Sequence, residues 1–158
     1  MGVKVKDNKQ AYEKFKKQMN RMSKKPHVAI GILGKDASEK YEGSTFTTVD
    51  VGTANEFGTV KMPSRSFIRS TYDRDQSKYV EMISRYKIKL ALGTITTDQA
   101  LTMIGEFTQK QIQQTITAGG IPFIPNSQET IARKGSSSPL IDTGQMRQSI
   151  RYEVRNAN

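Results

Sequence analysis

The chain has 158 residues, a formal net charge of +10 and an apolar fraction of 35%, so it is long enough for one domain with one core but leaves surface for other subunits to complete. It contains no cysteine, which excludes disulfides, thiolate metal sites and a cysteine nucleophile. Its single histidine, His27, makes a histidine-rich metal site or a Ser-His-Asp triad hard to build.

Much of the excess positive charge lies in residues 1–25. A basic balance can attract nucleic acid or an acidic protein surface, although a solvated helix face has the same composition. No zinc-finger spacing, helix-turn-helix pattern or aromatic-interleaved basic motif indicates sequence-specific binding. No apolar run approaches the roughly 20 residues of a membrane span, and the start lacks the apolar middle of a signal peptide. We therefore expect a soluble protein, made in the cytoplasm, that does not contact a membrane.

A basic amphipathic helix is predicted over residues 7–24, with Asp7 or Asn8 as its cap and Pro26 after its end. Its apolar side chains recur at spacings of three and four and form one stripe, with lysines opposite: Tyr12, Phe15, Met19 and Met22.

A strand rich in β-formers is predicted over residues 27–33, followed by a polar, turn-rich loop over residues 35–46 that we expect to be mobile. Thr47 or Thr48 caps the next short helix, and Gly58 ends it. Its inward-facing residues are predicted to be Val51, Ala54 and Phe57. Residues 59–70 then form a strand or an extended link, because Pro63 forces the residue before it into an extended conformation.

Two long helices follow, predicted over residues 66–92 and 97–118, with Gly93 after the first and Thr97 as the cap of the second. Apolar positions on the first are Ile68, Tyr72, Tyr79, Met82, Ile83, Tyr86 and Leu90. The stripe of the second is Leu101, Ile104, Phe107 or Thr108, Ile112 and Ile116. Because the connection is only about four residues long, the two helices should form an antiparallel hairpin.

The loop-rich C-terminal segment, residues 121–149, is dense in residues that fix backbone geometry, yet it spaces apolar anchors between its turns, which is typical of ordered structure. Asn126 and Glu129 resemble a capping box for a short helix that stops at Gly135. Asp142 or Thr143 caps another short helix, and a strand follows over residues 149–155. The predicted fold class is α+β: a small mixed or antiparallel sheet flanked by helices, including the long helical hairpin, in a single domain over residues 1–158.

The residues 140–144, Leu-Ile-Asp-Thr-Gly, look like the active-site strand of an aspartic protease, which needs a second Asp and a β-rich body. Only fourteen residues follow, and none of them is Asp, so a helix cap is the better interpretation. The basic loop around Gly135, with Lys134 before the glycine, lacks phosphate-loop spacing, and a flexible loop that touches a partner or a phosphate stays open as an alternative. Glu56 can pair with Arg65 and Arg69 across a turn, and no second catalytic group accompanies it. We therefore expect that the protein is not an enzyme and that it binds no cofactor and no metal.

Two stretches resemble a known family when read in order. The first is Ala-Asn-Glu-Phe-Gly-Thr at residues 54–59, leading into Met-Pro-Ser-Arg-Ser-Phe-Ile-Arg at residues 62–69. The second is Pro-Leu-Ile-Asp-Thr-Gly-Gln-Met at residues 139–146, followed by Ser149 and Ile150. With two helices between them, they are similar to the tail-completion or neck proteins of long-tailed bacteriophages, lambdoid and Mu-like, also described as virion morphogenesis or minor tail proteins. Ser66 stands where proline is common in that family.

The resemblance implies a structural virion protein of the head–tail neck. Such a subunit acts in a homo-oligomeric ring, usually a hexamer, at the head-proximal end of the tail, and enables head–tail joining. Its partners would be the tail tube or tail terminator and the head-completion or connector proteins, with non-specific contact to packaged DNA. It would be found in the virion after assembly in the host cytoplasm.

We expect residues 35–46 and 121–149 to carry contacts between subunits or with the tail tube. Four arginines are candidates for interface hydrogen bonds to acids, because the guanidinium fork suits partly buried pairing: Arg65, Arg69, Arg133 and Arg147. The remaining interface candidates are Glu56, Phe57, Phe67, Asp142 and Thr143. Two other interpretations stay open: a tail terminator that caps the tail tube, and, in a different class, a DNA-binding accessory protein that uses the basic N-terminal helix.

Overall fold

The computed structural model describes residues 9–41 and 43–157. The elements in this part of the chain are, in order, α1 (Lys9–Met22), β1 (His27–Ile32), α2 (Lys35–Ser38), α3 (Thr48–Phe57), α4 (Arg69–Ala91), α5 (Thr97–Thr117), α6 (Gln128–Lys134), α7 (Gln145–Gln148) and β2 (Ile150–Arg155). The predicted α+β class is confirmed. The proposed caps Asp7 and Asn8 lie outside the described residues.

The two strands form one antiparallel sheet, in which His27 pairs with Arg155 and Ile32 pairs with Ile150. Helix α5 packs across both strands. Close approach is possible because Gly105 faces the ring of Tyr152, and a Cβ at this glycine would overlap that ring. The two strands, one near each end of the described chain, therefore pair against α5.

Helices α4 and α5 form the predicted antiparallel hairpin. Near the start of α4 the Thr71 hydroxyl donates to the hydroxyl of Thr115, near the end of α5, at 2.6 Å. Two turns further along α4, the edge of the Tyr79 ring meets the ring of Phe107 at 5.7 Å between centroids. Because later residues of α4 meet earlier residues of α5, the helices run in opposite directions.

The core is small and draws on residues far apart in the chain. Its buried members are Phe67, Ile112, Ile116, Leu140, Met146 and Ile150. Half of them lie after residue 139, beside partly buried apolar residues of β1 such as Ile30 and Ile32. The C-terminal segment is therefore part of the packing that joins the sheet, α4 and α5.

Local capping signals place most of the helices correctly, with shifts of one residue. Thr47 and Asp50 form the capping box of α3, and Gly58 ends that helix with φ 77°, as predicted. Ser127, next to the predicted Asn126, accepts from the Thr130 N–H and caps α6. Gly144 in the left-handed conformation, with no side-chain bond, precedes α7 in place of the predicted Asp142 or Thr143.

The start of α4 was predicted three residues too early, at 66 instead of Arg69. At the start of α5 the capping box is formed by Thr96 and Gln99, one residue before the predicted Thr97. The predicted polar loop at 35–46 contains the single turn of α2 and a β-bridge between Lys40 and Thr47.

The inward faces of α3 and α4 differ from the predicted apolar stripes. Helix α3 buries Thr48, Gly52 and Glu56, so the expectation that Phe57 faces inward is wrong, and its side chain is 63% exposed. One residue further along a helix lies about 100° around the axis, which turns Phe57 away from the core when Glu56 is buried. Helix α4 likewise buries Thr71, Asp75 and Tyr79, and only Tyr79 belongs to the predicted apolar set.

Candidate interaction site

The carboxylate of Glu56 lies at the centre of a polar junction, which we define by Glu56, Arg65, Ser66 and Arg69. Glu56 is 4% exposed. It accepts hydrogen bonds from the backbone N–H groups of Phe67 at 2.7 Å, Ile68 at 2.9 Å and Arg69 at 3.0 Å. These N–H groups belong to the start of α4, where a helix lacks its own acceptors and carries partial positive charge. Glu56 thus caps a helix that begins thirteen residues later, which explains why that helix starts at Arg69.

Two side chains complete the environment of this carboxylate. The Ser66 hydroxyl donates to Oε1 at 2.8 Å, and Arg69 Nε donates to the same oxygen at 3.1 Å. Burial raises the pKa of Glu56, but the bonds from the three N–H groups and from Ser66 outweigh it, so the pKa lies below its ordinary value. The carboxylate is therefore fully bonded and ionised near neutral pH, which is a structural arrangement and not that of a general base.

Arg69 and Phe57 form an exposed pair on the outer side of the junction. The guanidinium of Arg69 lies 4.7 Å from the centroid of the Phe57 ring. It also donates from Nη2 to the backbone carbonyl of Glu56 at 3.1 Å, so the side chain is held at three points. The pair presents a fixed cation and an aromatic face to solvent, which is the composition common at protein interfaces.

Arg65 extends in the opposite direction and holds the C-terminal segment. It is 6% exposed, and it donates from Nε to the carbonyl of Ile124 at 2.8 Å and from Nη2 to that of Pro125 at 3.1 Å. The Ile121 N–H donates to the Ser66 carbonyl at 2.9 Å beside it. Among the described residues no carboxylate lies within ion-pair distance of Arg65. The predicted Glu56 pair is therefore confirmed for Arg69 only.

A cavity of about 490 Å³ opens beside this arginine, between the end of α3, the segment after Pro125, helix α6 and the stretch from Pro139 to Met146. Four cationic residues and one acidic residue line it: Lys61, Arg65, Arg133, Lys134 and Asp142. Its remaining wall combines apolar side chains with the polar groups of Asn55 and Asn126.

Lys134 is the half-buried cation of this cavity. Its ammonium group lies 3.4 Å from the carbonyl of Ser138 and 3.5 Å from that of Pro139, both long for charge-assisted bonds. Burial lowers the pKa of Lys134, the attraction of Asp142 opposes the shift, and the positive charges of Arg65 and Arg133 add to it. The cavity is thus a place where positive charge is poorly compensated.

The structure brings some of the predicted interface residues together and separates others. Glu56, Phe57, Arg65 and Arg69 meet around the junction, and Phe67 is buried in the core next to it. Arg133 and Asp142 face the same cavity as Arg65. Thr143 and Arg147 do not line the cavity, and both are exposed; Thr143 Oγ1 accepts from the Gln145 N–H at 3.3 Å, and Arg147 lies over α5.

Sequence reasoning did not name Lys134 among the interface residues. The only local signal is that it precedes the helix-ending Gly135 and follows Arg133, which favours an exposed cation near a helix C-terminus. Its partial burial depends on Pro139 and on the α3–α4 link, neither of which the local pattern specifies. Asn126, expected as a cap, instead donates from Nδ2 to the Ser138 carbonyl at 3.3 Å and holds the two sides of this loop together.

The stripe on α1 is an uncovered apolar surface of the described chain. Its four predicted members are all exposed, at 62% for Tyr12, 54% for Phe15, 48% for Met19 and 49% for Met22. The helix is attached through an adjacent face, where Gln18 Oε1 accepts from the N–H and the hydroxyl of Thr97 at 2.9 and 2.8 Å. The four side chains are therefore largely exposed, and Phe15 also lines a recess with Leu90 and Leu92.

Within residues 9–41 and 43–157, no helix is both long and apolar enough to cross a membrane. The same residues include no group of three or more His, Cys, Asp or Glu side chains placed to hold a metal ion. Comparisons of the chain with protein-family models, curated proteins and solved structures gave no match.

Proposed function

We propose that this chain is a structural subunit of the head–tail neck of a long-tailed bacteriophage, where a ring of copies completes the head-proximal end of the tail and enables head–tail joining. The observation that carries the proposal is the exposed α1 stripe. Isolated exposed apolar residues are normal on a monomer, but four large side chains on one helix face form a continuous patch of the kind that partners cover.

The two sequence stretches that resemble the neck family also support this assignment, because they contact each other. Glu56 and Phe67 come from the first stretch, and Leu140, Met146 and Ile150 come from the second. Phe67 shares one buried cluster with all three, and Glu56 binds the backbone N–H of Phe67. Motifs that meet in one core favour a shared fold over a chance coincidence of short patterns.

The charge and the interior suit assembly better than turnover. The most buried carboxylates, Glu56 and Asp75, are both bonded to cations or N–H groups of the same chain. Glu56 also accepts from the Ser66 hydroxyl, but its lowered pKa makes it a weak base toward that hydroxyl. Ring assembly instead needs apolar and arginine-rich surfaces that neighbours complete, which α1 and the Arg69–Phe57 pair supply.

Electron microscopy of lysates from phage lacking this gene tests the proposal. We expect DNA-filled heads beside free tails of normal length, because an unfinished neck blocks joining and leaves both parts intact. Overlong, unterminated tails would make the protein a tail terminator instead. Intact infectious particles would refute the morphogenesis role and direct attention to DNA binding by the basic N-terminal helix.

Complementation in the same lysates tests the surface that carries the proposal. Wild-type protein should restore infectious particles, whereas a Phe15→Ser, Met19→Ser double variant should not, because the stripe loses its two central side chains. Asn20→Ser is the matched control, since it changes an exposed polar residue on the same helix and leaves the stripe intact. Full complementation by the double variant would remove α1 from the assembly surface.

A further inference from the structure

The cavity beside Arg65 contains donors that nothing in the described chain uses. Arg65 Nε and Nη2 bind the carbonyls of Ile124 and Pro125, but Nη1 donates to no residue that the structure describes. Arg65 is more than nine-tenths buried, and it lines the cavity. This donor is not itself enclosed, because Tyr79 Oη is the only buried side-chain polar atom without a partner among the described residues, so Nη1 is open to the cavity, where an anion can accept from it.

The net charge of the residues that line the cavity also favours a bound anion. Four cationic residues line it against the single carboxylate of Asp142, and in residues 9–41 and 43–157 no ion pair joins Asp142 to any of them. Burial lowers the pKa of both Arg65 and Lys134, which shows that each charge is partly removed from water without a full counter-charge. A bound anion would relieve this at both groups.

The residues that line the cavity indicate which kind of anion fits into it. Val51, Met62, Leu140 and Met146 provide apolar surface next to the cations, in a space of about 490 Å³ that holds a few side chains. A nucleic-acid backbone needs an extended track of exposed cations and makes little use of an apolar recess. A carboxylate flanked by apolar side chains uses both kinds of wall.

We propose that this cavity receives a Glu or Asp side chain, flanked by apolar residues, from an acidic segment of a different protein. Charge complementarity favours a different protein over a second copy, because a chain with a formal net charge of +10 brings like charge to its own cationic cavity. The inference deepens the proposed function, since it gives the chemistry of one neighbour of the neck subunit, and to that extent rests on it.

NMR of the full-length protein, with its lysine amines reductively methylated with ¹³C, tests the proposal. The probe is the blocked peptide Gly-Leu-Glu-Leu-Gly, and the matched probe is Gly-Leu-Gln-Leu-Gly. We expect the Glu peptide to raise the pKa of Lys134 and shift its signal, and the Gln peptide to do neither, because only the carboxylate supplies the missing counter-charge. Lys134→Gln should weaken the binding of the Glu peptide about tenfold, the usual worth of one charge-assisted bond.

Lys87→Gln on the exposed face of α4 is the control, and it should leave the affinity unchanged. Equal shifts with the two peptides, or unchanged affinity in Lys134→Gln, would overturn the proposal. Displacement of the Lys134 signal by oligothymidylate but not by the Glu peptide would overturn it in favour of nucleic acid. Peptide binding is measured on isolated protein and head–tail joining in lysates, so the failure of one is distinguishable from the failure of the other.

Discussion

The polar junction around Glu56 and the helix α1 differ in which side chains are buried and which are exposed. At the junction, polar groups are buried, and each oxygen of the Glu56 carboxylate accepts more than one bond. On α1, the large apolar residues face solvent, and the helix is attached through Gln18 and through the Arg21 pair with Asp98 at 2.8 Å. Polar bonds therefore hold the loops in place, while apolar surface remains for contacts outside the chain.

This difference suggests that the junction contributes to the stability of the fold, whereas α1 contributes to association with other chains. A buried carboxylate that caps a helix from thirteen residues away fixes the relative positions of α3, α4 and the C-terminal segment, so its loss should affect the whole fold. Surface pairs such as those on α1 contribute little to folding. The following predictions test that division, from the largest expected effect to the smallest.

Replacement of Glu56 by Ala should destabilise the protein by about 3–5 kcal/mol, because three N–H groups at the start of α4 and the buried Ser66 hydroxyl lose their acceptor. Urea denaturation followed by circular dichroism measures the change. Glu81→Ala is the control, since Glu81 pairs with Arg85 on the exposed face of α4 and should cost less than about 1 kcal/mol. Equal costs for the two variants would contradict the central role of the junction.

Acid should produce the next largest effect. The pKa values of Glu56 and Asp75 lie below their ordinary values of 4.5 and 3.8, in Asp75 mainly because Arg74 donates to the carboxylate. A lowered folded-state pKa means that the stabilisation is present above the unfolded-state pKa and is lost as the pH falls through the folded-state value. The free energy of unfolding should therefore be level near neutral pH and fall below about pH 5.

Glu56→Gln provides the comparison for this pH dependence, because position 56 no longer titrates. We expect its free energy of unfolding to be lower near neutral pH and to change less steeply in acid. Denaturant midpoints measured across the acid range give both slopes. If Glu56→Gln loses as much free energy of unfolding in acid as the wild type does, then other carboxylates cause the acid sensitivity.

Gly105→Ala should cost about 1–3 kcal/mol, because the new methyl group overlaps the ring of Tyr152 where α5 meets the sheet. Gly52→Ala on α3 is a matched helical control. There the nearest atom is Cδ1 of Ile32, the mobile end of a flexible side chain, so the cost should be smaller. Thermal unfolding of both variants measures the difference, and the reverse order would mean that Tyr152 moves more easily than Ile32.

The smallest effect on folding is expected from Phe15→Ser on α1, whose side chain is 54% exposed. The free energy of unfolding should change by no more than about 0.5 kcal/mol. Self-association, measured by sedimentation velocity over a range of protein concentrations, should weaken if the stripe is an assembly surface. A large loss of stability with unchanged association would reverse the comparison between α1 and the junction.

Much of the fold could be predicted because its signals are local. The Thr47–Asp50 box, Gly58 and Gly135 fix helix ends through contacts that span at most four residues, and the alternation in residues 150–155 specifies a strand. The errors concern faces and boundaries that distant residues decide. Phe57 was predicted to face inward because apolar character favours burial, but Glu56 has the buried position since it must reach the start of α4.

Only some residues of the candidate site could be predicted from such local sequence signals. Arg65 was named as a partner of Glu56 and as an interface candidate, yet its partners Ile124 and Pro125 lie about sixty residues away, and no periodicity links them. For Lys134, the sequence indicated only a cation near the C-terminus of a helix, and not its partial burial in the cavity. The sequence by itself determined the order and type of most of the elements, since caps, turns and periodicity act over one or two turns of chain, whereas the single turn of α2 was predicted as loop. Only the tertiary structure decided that Glu56 caps α4, that a cationic cavity forms beside Arg65, and that the α1 stripe is uncovered, because each depends on which distant segments pack together.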